Sequence, residues 1–359
     1  MIIQLDSSFE NLPSWEPYEI PLNNLIEAHR KQHHLIFASR SILKSISAYP
    51  GISSLHRRVV EQILSKYIDY SALASKVTAK ILICTSTGSK LSETPKGLTC
   101  LDIEYVKSED TLDRFSIVVE NKRHDGTVAA LMLPVFAQKV EIPELYLRYN
   151  LEHGGGSTIS TPIEALTLNS RMFHVIVDSD RSYPSDALGP TAKTASLAVA
   201  AAKSTGLPVA EIFVLPSKDI ENLIPIEIME VVLISIEQKA ALSQIRKIVP
   251  HWPDCTPEEK CFLAYLDLKE KTTINPQSSN HIVANIQKKL FSILETDHCP
   301  KISDNLCKAL FLFGRGEIEM RRLKDLFHDH LPKSPFFQEL AAPFGQIAAS
   351  SISNPYIIS

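Results

Sequence analysis

FHVIVDSD, residues 173–180, is the stretch that decides the predicted fold, together with FSIVVE at residues 115–120. Both are short apolar runs rich in β-branched residues, which is typical of strands buried on both faces of a parallel sheet. ELYLRYN at 144–150 and EIFVLP at 211–216 are predicted to be further strands, and a helical pattern follows each of the four. The alternation predicts a mainly parallel, Rossmann-like α/β sheet with helices on both faces.

The flanking sequence predicts two more units around this central unit, which we place at residues 114–225. Residues 1–113 are predicted to form an α/β unit of unknown role, with helices over 22–48 and 56–73 and strands KILICTST (80–87) and TCLDIEYV (99–106). Residues 226–359 are predicted to be a helical domain. Its helical pattern begins just before that boundary and covers 224–248, 256–270, 281–296, 302–313, 316–331 and 336–350.

The composition narrows the class of protein. The chain has 359 residues, of which 44% are hydrophobic and 22% charged, as in ordinary globular proteins. A net charge of -4 argues against general coating of nucleic acid, although it leaves room for a local basic groove. No signal sequence, paired CxxC motif or long uncharged apolar run is found, so we expect a cytoplasmic protein that does not span a membrane.

Acidic residues follow three of the predicted strands. Because loops at the carboxyl ends of parallel strands line a common crevice, these carboxylates are expected to lie close together. Clustered carboxylates repel one another, and a hard divalent cation such as Mg²⁺ is their natural partner. Asp178 and Asp180 can face the same way on an extended segment, but DSD is equally typical of a simple turn after a strand. The full set is Glu120, Asp178, Asp180, Asp219 and Glu221.

A run of three glycines lies in LEHGGGSTIS, residues 151–160, before a helix expected to begin near Thr161. Consecutive glycines expose backbone N–H groups and let a phosphate approach closely, and the helix N-terminus beyond them favours anions. A tight turn explains the same run equally well.

Taken in order, VVEN, GGGST, VIVDSD and SKDIENLIP resemble the TOPRIM domain of the overcoming-lysogenization-defect (OLD) family nucleases and their stand-alone defence-associated relatives. The resemblance implies that Glu120, Asp178 and Asp180 bind Mg²⁺ or Mn²⁺. It further implies that Glu221 supplies another acidic ligand, with Asp219 as its neighbour.

The sequence departs from the family pattern at two points. The family usually has Gly after the first glutamate and an acidic residue four places on, whereas this chain has Asn121 and then Asp125. OLD nucleases carry an ATPase domain, but no GxxxxGK[ST] motif is found here, so a separate ATPase partner is expected. The family also has a catalytic lysine beyond the core, for which Lys269 is our choice and Lys218 the second candidate. An ordinary solvated lysine at a helix end is the alternative for Lys269.

The function implied is hydrolysis of phosphodiester bonds in DNA or RNA, including transfer RNA, by a Mg²⁺- or Mn²⁺-dependent nuclease. Glu120, Asp178, Asp180, Glu221 and Lys269 are the predicted catalytic residues. One or two ions at this site would activate water and stabilise the leaving oxygen. The resemblance suggests an anti-phage effector, and a homodimer is a further expectation. Two alternatives stay open: a non-catalytic TOPRIM-fold binding or regulatory subunit, and a primase-like enzyme.

Overall fold

A computed structural model describes residues 1–77, 79–85, 92–94, 98–182, 186–235, 237–248 and 306–356, with a few isolated positions between 249 and 305. Within these residues the chain has an α/β fold built on two mainly parallel sheets. Lys269 and the predicted helices over 256–270 and 281–296 lie outside the described residues.

The first sheet is formed by the N-terminal region. Its strands are β1 (Ile2–Leu5), β2 (Leu35–Phe37), β3 (Lys80–Cys84), β4 (Ser92–Thr94) and β5 (Leu98–Asp102). They lie in the order β2-β1-β3-β5-β4, with β4 antiparallel to β5 and the other neighbours parallel. The helices of this region are α1 (Glu19–Arg30), α2 (Arg40–Ala48), α3 (Ser54–Ser65) and α4 (Tyr67–Lys76).

The predicted helix over 22–48 is wrong, because the chain leaves α1, enters β2 and only then forms α2. All three residues of β2 are buried, and so short an apolar run fits a strand and a helix equally well. The predicted helix over 56–73 is divided into α3 and α4. Strand β1 was not predicted.

The second sheet lies in the central region and is wholly parallel. Its strands are β6 (Ser116–Val119), β7 (Asn150–His153), β8 (Phe173–Val177) and β9 (Ala210–Val214), in the order β7-β6-β8-β9. Three of the four predicted strands are confirmed. The strand predicted at 144–150 is wrong: residues Glu144–Tyr146 form a 3-10 turn, and the strand begins only at Asn150.

Helices cover both faces of the second sheet, as predicted. They are α5 (Asp125–Lys139), α6 (Ser160–Leu168) and α7 (Pro190–Ser204). Alternate residues of β6 point to opposite sides: Ile117 and Val119 join the core that includes α5, whereas Val118 joins a second core formed with α6 and α7. A strand buried on both faces accounts for the continuous apolar run in the sequence.

The C-terminal region is helical where it is described, apart from short paired strands β10 (Thr272–Thr273) and β11 (His298–Cys299). Its helices are α8 (Ile226–Ser235), α9 (Lys239–Ile248), α10 (Leu306–Phe313), α11 (Glu317–His330) and α12 (Phe337–Ser350). The helix predicted over 224–248 is therefore two helices. Helix α12 packs on α5, where Phe136 stacks on Phe337 with ring centroids 4.9 Å apart.

The segment after α12 contacts the loop before β7 and helices α1 and α4 of the N-terminal region. Leu147 forms an antiparallel bridge with Ile352, and the side-chain amide of Asn354 donates to the carbonyl of His29 at 3.3 Å. The hydroxyl of Tyr70 donates to the amide oxygen of Asn354 at 3.1 Å. The boundaries at 113/114 and 225/226 fall between elements, and the independence of the three units stays a prediction. Across the described residues, no helix has the length and apolar character needed to cross a membrane.

Candidate metal centre

The carboxyl ends of β6 and β8 lie at the point where the strand order of the second sheet reverses. From β6 the chain first adds β7 on one side and then returns past β6 to add β8 on the other. Crossover connections on opposite sides leave a crevice at such a switch point, which is the usual ligand site of open α/β sheets. Glu120 follows β6 and Asp178 follows β8, so both carboxylates lie at this crevice.

Three carboxylates converge there. Asp178, Asp219 and Glu221 each offer an oxygen that lies within 4.8 Å of the other two. Asp219 is 7% exposed and Glu221 6% exposed, and Asp178 is half-buried. Asp and Glu side chains are rarely buried this far from solvent unless a positive charge or hydrogen bonds compensate for the lost hydration. Oxygen ligands at this spacing fit a hard divalent cation such as Mg²⁺ or Mn²⁺.

Glu120 joins the cluster through the backbone. Its Oε1 accepts a hydrogen bond from the backbone N–H of Asp178 at 3.2 Å. The Oδ1 of Asp178 in turn accepts from the backbone N–H of Ile220 at 2.9 Å. The end of β6, the end of β8 and the loop after β9 are therefore linked by the carboxylates themselves.

The loop after β9 is fixed by its own hydrogen bonds. The buried Ser179 hydroxyl donates to the carbonyl of Ser217 at 2.5 Å, and the buried Ser217 hydroxyl donates to the carbonyl of Asp219 at 2.8 Å. Asp219 begins a 3-10 turn with a reciprocal capping box, in which its side chain accepts from the backbone of Asn222 and the Asn222 side chain accepts from the backbone of Asp219. These bonds fix the backbone of the loop that carries Asp219 and Glu221.

The electrostatics of the site are those of crowded carboxylates. Burial raises the pKa of Asp178 well above its usual value, and the negative charges of Glu120, Asp219, Asp125 and Glu221 raise it further. Each cause disfavours the charged form of Asp178 in the protein without a cation. A divalent cation would reverse the balance, because it favours the ionised carboxylate.

Asp180 takes a different position from the one predicted. The strand ends at Val177, and Asp180 has a left-handed backbone with φ of 54°, so the alternation of an extended segment does not continue to it. Its N–H donates to the carbonyl of Lys218 at 3.0 Å, and its side chain lies against Gly189 at the start of α7. Asp180 is exposed and does not belong to the group of three converging carboxylates. Its role as a ligand stays a prediction.

The glycine run holds the end of β6. The N–H of Gly154 donates to the carbonyl of Val119 at 2.7 Å, and the N–H of Gly155 donates to the carbonyl of Glu120 at 2.9 Å. A Cβ on Gly154 would lie 2.9 Å from the Val119 carbonyl oxygen, and Gly155 has φ of 71°. Two of the three N–H groups are thus engaged with the backbone that presents Glu120, which favours the tight-turn interpretation of this run.

Asp125 has a local partner at the start of α5. Its Oδ2 accepts from the backbone N–H of Asn121 at 2.7 Å, while the Asn121 Oδ1 accepts from the N–H groups of Arg123 and His124 at 3.1 Å each. The Asp125 side chain, five residues after Glu120, is therefore bonded to the turn that joins β6 to α5.

A cation that the sequence did not indicate, Lys308, lies near His124 at the start of α5. The pKa of His124 is lowered, first by burial and then by the positive charge of Lys308, and the negative charge of Glu221 opposes this. Lys308 is exposed on α10. The packing of α10 on α5 and α8 brings it to the site from a distant part of the chain, and no local motif marks it.

Comparison of the chain with family models, with curated proteins and with solved structures finds no match.

Proposed function

We propose that this protein is a metal-dependent phosphodiesterase that acts on nucleic acid. The observation that carries the proposal is the convergence of Asp178, Asp219 and Glu221, with Glu120 bonded to Asp178, at the switch point of the second sheet. The capping role of Asp219 does not by itself account for buried and half-buried carboxylates gathered so closely that Glu120, Asp219 and Glu221 raise the pKa of Asp178.

In this proposal Asp178, Asp219 and Glu221 hold Mg²⁺ or Mn²⁺, and Glu120 orients Asp178 and completes the acidic face. The bound ion would supply a water of lowered pKa and a positive charge at the scissile phosphate. The chain contributes the geometry: its hydrogen bonds fix the loop that carries Asp219 and Glu221. Lys308, whose charge acts on His124 as that of Glu221 does, adds positive charge near the site and favours an approaching phosphate.

The finer identity is part of the proposal and rests on the sequence motifs. We infer a TOPRIM core of the OLD nuclease type, in a cytoplasmic anti-phage effector that works with a separate ATPase partner. Asp180 is a further candidate ligand, and Lys269 and Lys218 are the candidate catalytic lysines. Two features are consistent with this identity: a parallel sheet covered by helices on both faces, and acidic residues directly after β6 and β8.

The proposal is tested by incubating the full chain with supercoiled plasmid, single-stranded DNA and bulk transfer RNA in Mg²⁺, Mn²⁺ or EDTA. We expect cleavage of at least one substrate that requires the metal and disappears in Asp178→Ala/Glu221→Ala. The double variant Asp178→Ala/Asp180→Ala, compared with Asp178→Ala alone, reports whether Asp180 contributes.

A folded wild type that binds Mn²⁺ and cuts none of the three substrates would reject the stand-alone enzyme. Repeating the assay with an ATPase partner co-purified from the native host then separates a partner-activated nuclease from a non-catalytic subunit.

A further inference from the structure

A groove beside the acidic site has the chemistry of a surface for single-stranded nucleic acid. The groove has a volume of about 700 Å³ and runs along α5 from Lys122 toward Pro134. Its opposite wall comes from the segment before β7 and from helices α10 and α11. The volume lies within the range of about 300–1,000 Å³ that is typical of pockets for small organic groups.

The charges that line the groove differ from those of the whole chain. The chain has a net charge of -4, whereas the groove is lined by four cationic side chains and the one carboxylate of Glu144. That carboxylate is paired with Lys324. The remaining cations, Lys122, Arg123 and Arg148, leave the groove with an excess of positive charge, which suits a phosphate backbone.

Aromatic and apolar groups lie between these charges. Tyr149, in the segment before β7, and Phe311, on α10, both line the groove, and both residues are half-buried. Burial raises the pKa of Tyr149 to about 12, so the ring stays neutral at physiological pH. The guanidinium of Arg315 lies 6.0 Å from the centroid of the Phe311 ring and adds positive charge beside it. Aromatic rings among basic side chains are the common platform on which unpaired bases stack.

One end of the groove is formed by residues that closely follow Glu120 in sequence. Lys122 and Arg123 are the second and third residues after Glu120, and the N–H of Lys122 donates to His153 at the end of β7 at 3.4 Å. Lys308, whose charge acts on His124, lies on the same helix as Phe311. A strand lying in the groove would therefore pass the N-terminus of α5 and place a phosphate near the carboxylates.

We propose that this groove binds single-stranded nucleic acid, with phosphates at Lys122, Arg123 and Arg148 and bases against Tyr149 and Phe311. The inference rests on the proposed function, for which it names the form of the substrate. The sugar, ribose or deoxyribose, is left to the experiment. A fully paired duplex hides its base faces and cannot use the aromatic rings, so a preference for unpaired strands follows.

The test is fluorescence anisotropy with labelled oligodeoxythymidylate, oligouridylate and a blunt DNA duplex, in EDTA so that no cleavage occurs. We expect both single strands to bind more tightly than the duplex. Lys122→Gln/Arg123→Gln should weaken single-strand binding by about tenfold and lower the slope of log affinity against log salt by about 1.4, the value for two phosphate contacts. The matched control is Lys44→Gln/Arg58→Gln, which removes two exposed charges from α2 and α3 and should change neither quantity.

The stacking part of the inference has its own variant pair. Phe311→Leu keeps an apolar side chain but removes the ring, and we expect binding about five- to tenfold weaker. Phe313→Leu changes a ring on the same helix that does not line the groove, and should bind as the wild type does.

The outcomes separate the groove from the nuclease. Suppose that the wild type cleaves nucleic acid but Lys122→Gln/Arg123→Gln binds single strands with unchanged affinity and salt slope. That result would contradict the proposed binding groove and would leave the proposed nuclease activity supported. Weaker single-strand binding by that variant, with no cleavage by the wild type, would support the groove and reject the stand-alone nuclease. Equal binding of duplex and single strands, or no binding of any oligonucleotide, would overturn the groove outright.

Discussion

The first three strands of each sheet have the same order, but different groups lie at the two switch points. Order β2-β1-β3 in the first sheet corresponds to β7-β6-β8 in the second, so each has a reversal beside its first strand. In the first sheet the segments that follow β1 and β3 are hydrogen-bonded to each other at this point. The N–H of Asp6 donates to the carbonyl of Ile83 at 3.0 Å, and the N–H of Thr85 donates to the Ser8 hydroxyl at 3.0 Å. In the second sheet carboxylates converge there.

Strand-end aspartates in the first sheet are used as caps. The Oδ1 of Asp6 accepts from the N–H of Ser8 at 2.8 Å, and the Oδ1 of Asp102 accepts from the N–H of Glu104 at 2.8 Å. Each is satisfied two residues further on, as is common for aspartate in turns. Asp178 instead accepts from Ile220, which is distant in sequence, and faces several other acids. An acidic strand end therefore indicates a site only when carboxylates from separate strands meet.

The largest expected difference between the two switch points is in catalysis. Asp178→Asn/Glu221→Gln should lower metal-dependent cleavage by about a thousandfold or more, because metal ions contribute several kcal/mol at the transition state. Asp6→Asn/Asp102→Asn makes the same kind of change at caps of the first sheet and should retain cleavage within about threefold. Initial rates on the preferred substrate at saturating Mn²⁺ measure both. Comparable losses in the two double variants would remove the distinction between cap and site.

A second difference lies in how β6 is held at its end. Gly154→Ala places a methyl group 2.9 Å from the Val119 carbonyl oxygen and should lower the free energy of unfolding by about 1–3 kcal/mol. It should also reduce cleavage, because the same turn presents Glu120. Urea denaturation of this variant and of Gly345→Ala makes the comparison. Gly345 lies in α12, where the added methyl meets only the Val140 side chain at 3.3 Å, and a wild-type-like stability is expected. Equal stability of both variants would contradict the role of Gly154.

The crowding of carboxylates predicts a pH-dependent gain in stability when one is removed. The pKa of Asp178 is higher in the folded protein than the value of about 3.9 expected in the unfolded chain. Below that unfolded value Asp178 is protonated in both states and does not change the free energy of unfolding. As pH rises above it, the unfolded chain ionises more readily, so the metal-free fold loses stability. Asp178→Asn should therefore melt at the wild-type temperature near pH 4 and about 1–4 °C higher at pH 7 in EDTA. Mn²⁺ should reverse the order at pH 7. Calorimetric melting curves at the two pH values provide the measurement, and an Asn variant less stable than wild type at pH 7 in EDTA would oppose it.

The smallest effect is expected at the switch point of the first sheet. Ser8→Ala removes the acceptor of the Thr85 N–H and should lower the free energy of unfolding by about 0.5–1.5 kcal/mol. Ser7→Ala, at the exposed neighbouring position, should change it by less than about 0.5 kcal/mol. Both are read from urea denaturation, and neither should alter Mn²⁺ binding. A loss of metal binding in Ser8→Ala would mean that the two sheets are coupled.

The sequence predicted most of the second sheet because β6 and β8 are central strands that are buried on both faces and have unbroken apolar runs. Strand β9 lies at one edge and is mostly half-buried, but its sequence AEIFV is still largely apolar. Strand β7, at the other edge, has the polar sequence NLEH, so the apolar residues just before it were predicted to be the strand instead. Of those, Leu147 pairs with Ile352 near the C-terminus, a contact that no local pattern contains.

The site was predicted in part for a similar reason. Strand ends marked Glu120, Asp178 and the loop with Asp219 and Glu221, because topology alone brings those positions together. The pairing of Asp180 with Asp178 assumed an extended chain, and the left-handed backbone at Asp180 ends that alternation. Lys308 was missed because its position depends on how α10 packs against α5.

Titration calorimetry with Mn²⁺ tests the central claim most directly, since it requires neither the right substrate nor a partner. The wild type should bind at the second sheet's switch point, Asp178→Asn/Glu221→Gln should lose that binding by about a hundredfold or more, and Asp6→Asn/Asp102→Asn should keep it. Unchanged Mn²⁺ binding in Asp178→Asn/Glu221→Gln, or no binding by a folded wild type, would contradict the account.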